Sequence, residues 1–103
     1  MTVKPPNPWD PIFTRGDVAK ILNVTPITVA NREKSGKYPP PRRDINNYRI
    51  YSLRDVFNLQ LMTFNSLDPR PVLSILHDKG YRDHKQVGQL VDKALSGYRG
   101  EGA

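Results

Sequence analysis

The chain has 103 residues, 16 basic and 10 acidic, with a formal net charge of +6 and no cysteine. That length suits one domain, and the missing cysteine excludes disulfides and thiolate metal sites. With no long apolar run near the start, neither a signal peptide nor a membrane span is expected, and a soluble cytoplasmic protein is the default.

Residues 1–13 hold Pro5, Pro6, Pro8 and Pro11, which block both helix and central strand. They read as an extended arm, with Trp9, Ile12 and Phe13 folding back onto the core; a disordered tip is the favoured expectation for residues 1–7, with Lys4 reaching a neighbouring minor groove as the alternative. A first helix starts at Thr14, where Asp17 three residues on makes a capping-box-like pair. Val18, Ile21 and Leu22 then form one apolar face, and Asn23-Val24 make the turn.

A second helix opens with Thr25 as N-cap and Pro26 at the first helical position. It ends at Ser35, with Gly36 just beyond. With Val29 in the core, a step of about 100° per residue carries Ile27, Asn31 and Lys34 to the opposite side, flanked by Thr28 and Arg32. Asparagine pairs bidentately with adenine, arginine with guanine, and isoleucine or threonine methyls meet the thymine methyl.

Residues 37–51 read as a hairpin with arms at 41–45 and 48–51, joined by Asn46-Asn47 in a type I′ turn. Lys37, Arg42, Arg43 and Arg49 decorate it. Tyr48 is expected as a contact residue and Tyr51 as structural. A third helix starts at Ser52 with Asp55 as its capping partner, and Leu53, Val56, Phe57, Leu61 and Phe64 form its core stripe. Asp68-Pro69 opens a fourth helix carrying Val72, Leu73, Ile75 and Leu76, which stops at Lys79-Gly80. Asp83 and Gln86 start a last one, in which Val87, Leu90, Val91, Ala94 and Leu95 recur at helical spacing. Gly97, Gly100 and Gly102 mark a frayed tail. The expected fold is mainly α with a small β-hairpin wing. It divides into an arm (1–13), a winged helix-turn-helix (14–66), a C-terminal helical extension (67–97) packing on the core or dimerising, and a tail (98–103).

The charge is uneven. Residues 31–54 carry seven basic side chains against two acidic ones, whereas residues 67–103 carry six against five. A basic stripe on one element points to a polyanion, and helix–turn–helix followed by a basic hairpin is a shape that fits duplex DNA.

The run from Thr14 to Ser52 resembles the N-terminal winged helix-turn-helix domain of MerR-type regulators, a domain shared with small phage and transposon excisionases. The resemblance rests on Asp17-Val18-Ala19, Val24-Thr25-Pro26 with Thr28-Val29, Gly36, the Pro39-Pro40-Pro41-Arg42-Arg43 run, Asn47-Tyr48-Arg49-Ile50-Tyr51-Ser52 and Asp55-Val56. It implies DNA contact through the second helix (Thr25, Ile27, Thr28, Asn31, Arg32 and Lys34). It also implies backbone contact through the wing residues Arg42, Arg43, Tyr48 and Arg49, and Lys37 is expected to join them. Where family members carry an arginine followed by aromatics, this chain has Ala30, Asn31 and Arg32, so the base contacts differ in detail. Family members dimerise through a long C-terminal helix and sense metals or drugs beyond it; here the helices expected after residue 67 are short, so a DNA-binding domain without an effector-sensing domain is expected.

His77 and His84 lack metal-ligand spacing and read as surface residues. No nucleophile–base order or phosphate loop stands out, so the chain is expected to be neither an enzyme nor a cofactor binder. The resulting expectation is a sequence-specific binder of double-stranded DNA, working as a homodimer or a cooperative assembly at the nucleoid, without a small-molecule effector and without a membrane role. Transcriptional regulation heads the uses, with excision or plasmid partition for a mobile element as the alternative. A protein-interaction adaptor on the same scaffold is the alternative of another class.

Overall fold

Capping chemistry divides the chain. In the computed structural model, which describes residues 11–99, the elements run α1 (Arg15–Leu22), α2 (Pro26–Lys34), β1 (Arg42–Arg43), β2 (Arg49–Ile50), α3 (Leu53–Phe64), α4 (Pro69–Asp78) and α5 (His84–Arg99). The expectations for Lys4 and Trp9 lie outside the described residues. Two full capping boxes start α1 and α3. Thr14 Oγ1 accepts from the Asp17 amide at 3.2 Å while Asp17 Oδ2 accepts from the Thr14 amide at 2.9 Å. Ser52 and Asp55 repeat the exchange at 3.1 and 2.9 Å. Thr25 and Asp68 cap α2 and α4, each followed by a proline at the first helical position. Asp83 Oδ1 accepts the amides of Lys85 and Gln86 at the start of α5.

α1 and α3 end on Asn23 and Asn65 at φ 58° and 55°, a left-handed conformation that asparagine tolerates better than most residues. α1 packs on α2, α3 and α4, and α5 packs on α3 and α4. One core results. Val18 and Leu22 of α1, Val29 of α2, Val56 and Phe57 of α3, and Val72 and Leu76 of α4 are fully buried in it. Val87, Leu90, Val91, Ala94 and Leu95 of α5 are buried as well. A domain this small needs every apolar face for its own core, and the extension of residues 67–97 shares its core with the first three helices. No helix among the described residues is long and apolar enough to cross a membrane.

The hairpin is antiparallel, pairing Arg42 with Ile50 and Arg43 with Arg49. A further bridge joins Phe13 to Tyr51, with reciprocal N–H···O bonds of 2.8 and 2.9 Å. Fully buried Phe13 is thereby tied to Tyr51, the residue that follows β2.

Several expectations are corrected. Ile12 is 40% exposed and does not join Phe13 in the anchor. The bridge fixes an extended backbone at Phe13, and its neighbour faces the opposite way. The hairpin loop is not a two-residue type I′ turn. The Asp44 amide donates to the Tyr48 carbonyl at 2.9 Å, so Ile45, Asn46 and Asn47 form a three-residue loop. Of these only Asn47 has positive φ, at 67°, the form in which a type I turn is closed by one left-handed residue. On α3, Phe64 is 50% exposed and Leu61 half-buried, while Leu59 and Gln60 are buried in their stead. Gln60 is tolerated because its amide is satisfied twice by Asp68 of the α3–α4 link. It donates to the carbonyl at 2.8 Å and accepts from the amide N–H at 3.2 Å. Finally, α5 continues past Gly97 to Arg99, and at 16 residues it is not a short helix.

Candidate nucleic-acid interface

α2 is held against the core by Val29, and its outer side is open. Ile27 is 72% exposed, and Asn31 and Lys34 are exposed beside it. This is the side that helical periodicity assigns to Ile27, Asn31 and Lys34. At the N-terminal end, Thr25 Oγ1 caps the Thr28 amide at 3.2 Å and lies 2.9 Å from Thr28 Oγ1. Both hydroxyls therefore serve the cap, with Thr25 exposed and Thr28 half-buried.

Arg32 is placed differently. Its Nη1 donates to the Tyr38 hydroxyl at 2.7 Å and its guanidinium lies 5.5 Å from the centre of that ring. The Tyr38 hydroxyl also shares a hydrogen bond with Thr63. Arg32 is thus half-buried, a strut between α2, the following loop and α3 rather than part of the outer face.

A buried carboxylate ties the hairpin to the helices. The Glu33 side chain is 8% exposed and accepts from Arg15 Nη2 at 2.6 Å. It also accepts a short hydrogen bond from the Tyr51 hydroxyl, and Arg49 Nε lies 3.8 Å from it. One acid on α2 therefore meets a base of α1, the tyrosine at the base of the hairpin and a base of β2. Burial and the Glu33 carboxylate push the Tyr51 phenol up to about 12. Burial alone would lower Arg15, but its bonds to Glu33 and Tyr51 outweigh that and hold the guanidinium above its ordinary value. Two guanidiniums around one carboxylate leave the local charge positive.

The hairpin register sorts the basic residues. Side chains alternate along a strand, and directly opposed residues share a face. Arg43 and Arg49 are opposed, and both line one groove with Ala30, Lys34, Pro40 and Pro41. Arg42 belongs to the other face. Its Nη2 lies 3.6 Å from Asp55 Oδ2, and it borders a separate groove with Leu53 and Lys93. Lys37 lies with Arg32, Tyr38 and Met62 at yet another place. Of the five wing residues expected to act together, the structure joins Arg43 and Arg49 to the α2 face, leaves Tyr48 70% exposed near the tip, and sets Arg42 and Lys37 apart.

Both acids of the basic stretch are engaged internally. Glu33 is occupied as described. Asp44 Oδ1 accepts the amides of Asn46 and Tyr48, each at 2.9 Å. The signal for Glu33 was present in the sequence, because position 33 lies four residues after Val29 and hence on the same side of α2. Tyr38 and Arg15 carried no comparable signal, since their partners lie far along the chain.

His77 and His84 are exposed. Among the described residues no group of three or more His, Cys, Asp or Glu side chains is placed to hold a metal ion. Compared with known proteins, the chain matches no protein-family model and no curated protein.

Proposed function

We propose that the protein binds double-stranded DNA in a sequence-specific manner, with α2 in the major groove and the hairpin on the backbone beside it. The observation that carries this reading is the meeting of Lys34, Arg43 and Arg49 on one groove between α2 and the hairpin, next to an α2 face that exposes Ile27 and Asn31. A helix with its side chains is about 10–12 Å across, and the major groove is about 12 Å wide. In that placement Asn31 pairs with adenine, the Ile27 side chain meets a thymine methyl, and Lys34, Arg43, Arg49 and the Tyr48 hydroxyl take phosphates. Thr25 and Thr28 stand at the leading end of the helix. Arg32 ties α2 to the following loop and α3, and Glu33 ties it to the hairpin, instead of touching DNA.

Following the resemblance to MerR-type winged helix-turn-helix domains, the role we assign is that of a small MerR-like transcriptional regulator without catalytic activity. One domain of this size recognises a half-site weakly, so two or more copies bind together. The test is selection of fragmented genomic DNA by the purified protein at near-physiological salt, with the bound fragments sequenced. A few sharply enriched sites support the proposal. Inverted repeats in promoters support the regulatory role, and tandem sites beside a recombination or centromere locus would replace it with excision or partition. Flat enrichment that disappears with modest added salt would mean charge attraction alone and would overturn the proposal.

A further inference from the structure

Arg15 stands where its own helix does not call for it. It is the first residue of α1, and a cation at that end opposes the helix dipole, which favours acids such as Asp17 in the same turn. Its Nε is buried with no hydrogen-bond partner among the described residues. What the side chain does reach is Glu33. Arg15 Nη2 donates to Glu33 Oε1 at 2.6 Å, while Glu33 Oε2 accepts from the Tyr51 hydroxyl. Each oxygen of the buried carboxylate therefore already holds a partner.

Arg49 comes third. Its Nε lies 3.8 Å from Glu33 Oε1, beyond the roughly 2.7–3.2 Å of an N–H···O bond. Its side chain is partly exposed at the groove it shares with Lys34 and Arg43. Arg49 is thus attracted by Glu33 without being bonded to it, and its guanidinium can turn to a phosphate. Without Arg15 the carboxylate loses its closest cation. A buried carboxylate without a base is costly, and Arg49 is the base in reach. A guanidinium closes on a carboxylate with the same paired N–H bonds that it offers a phosphate. Glu33 and DNA then compete for one side chain.

We propose that Arg15 is a positioning residue for DNA binding: by occupying Glu33 it keeps the Arg49 guanidinium available for a phosphate, without touching DNA itself. This rests on the DNA-binding reading above.

The experiment uses the full chain and a duplex recovered by the genomic selection. The readout is the slope of log affinity against log salt, taken at a temperature where melting curves show every variant folded. Arg49→Ala should flatten the slope by about 0.9, the share of one phosphate. Arg15→Met should flatten it by the same amount, so that between about 50 and 200 mM salt the wild type loses about 3.5-fold more affinity than the variant. Arg15→Met combined with Arg49→Ala should lose no more than Arg49→Ala alone. Arg15→Met combined with Glu33→Gln should return to the wild-type slope, because the neutral amide still bonds Tyr51 and no longer competes for Arg49. Where Arg15→Met does not fold, Arg15→Gln, which keeps an N–H donor toward Glu33, takes its place. A wild-type slope for the Arg15 variant would overturn the proposal and leave Arg15 a role in the fold alone. Losses that add in the Arg15 and Arg49 double variant, or that Glu33→Gln does not restore, would overturn it by placing Arg15 on a phosphate of its own. Specific binding with an unchanged slope in Arg49→Ala would remove Arg49 from the phosphates and the proposal with it. Absence of any specific site for the wild type would overturn the DNA-binding reading itself, and the selection registers that result separately.

Discussion

Replacing Arg43 and Arg49 together by alanine tests whether the α2–hairpin groove is the phosphate-binding surface. The two residues are paired across the hairpin and line one groove with Lys34. Each neutralised phosphate contributes about 0.9 to the slope of log affinity against log salt, so the double variant should lose about 1.8 from that slope. Salt rising from about 50 to 200 mM spans about 0.6 log units, so over that range the wild type should lose roughly tenfold more affinity than the variant. The fold should survive. Arg43 gives up one bond to the Asn47 carbonyl, and Glu33 keeps Arg15 and Tyr51 as partners. The pair that Arg49 makes with Glu33 is a long one, at 3.8 Å. Arg42→Ala is the internal comparison, because Arg42 lies on the other face of the hairpin beside Asp55 and should change the slope much less. Fluorescence anisotropy titrations on a selected duplex at four or five salt concentrations give the slopes. An unchanged slope for the double variant, or an equal loss for Arg42→Ala, would refute the assignment of the groove.

Asn31→Ala should alter base preference at one position more than it alters total affinity, since Asn31 is exposed on the outer face of α2 and a bidentate pair is worth about 1–3 kcal/mol of discrimination; selection from a randomised duplex pool reads this, and an unchanged preference removes Asn31 from base readout. Glu33→Ala should destabilise the fold, because it leaves the Arg15 guanidinium, 23% exposed, without its carboxylate. A cost of about 2 kcal/mol should lower Tm by about 8–16 °C in a domain of this size, and a melting curve within a degree or two of wild type would contradict the role given to Glu33. The Tyr51 phenol has its folded pKa raised from 10.0 to about 12, so its contribution is fully present below pH 10 and is lost as pH rises through about 12. Tyr51→Phe should therefore show a flatter fall in stability over that window, and identical alkaline unfolding of the two proteins would contradict the assignment.

The local grammar of the chain was readable in advance. Thr14 with Asp17, Ser52 with Asp55, Thr25-Pro26 and Asp68-Pro69 are short-range signals. Each satisfies amides within three residues of itself, so no knowledge of the fold is needed to place them. The outward set of α2 was equally legible, since one buried residue, Val29, fixes the phase of the whole helix. Long-range partners were not. The bridge of Phe13 to Tyr51 and the strut of Arg32 on Tyr38 and Thr63 depend on how elements pack. The separation of Arg42 from Arg43 follows from strand alternation alone, but which of them faces α2 depends on the register, and that required the loop length. The loop itself was misread by one residue because Asn46 and Asn47 both tolerate positive φ and only Asn47 uses it. Phe64 read as core from its spacing, yet the buried stripe of α3 runs through Gln60, whose amide serves the α3–α4 link.

The central claim is that α2 and the hairpin form one DNA-binding surface, and backbone amide chemical-shift mapping during titration with a selected duplex tests it most directly. The account predicts perturbations clustered at residues 25–34 and 43–49 and small changes along α4. Perturbations concentrated on α4 and α5 with the α2 face unmoved, or no saturable change at all, would contradict it.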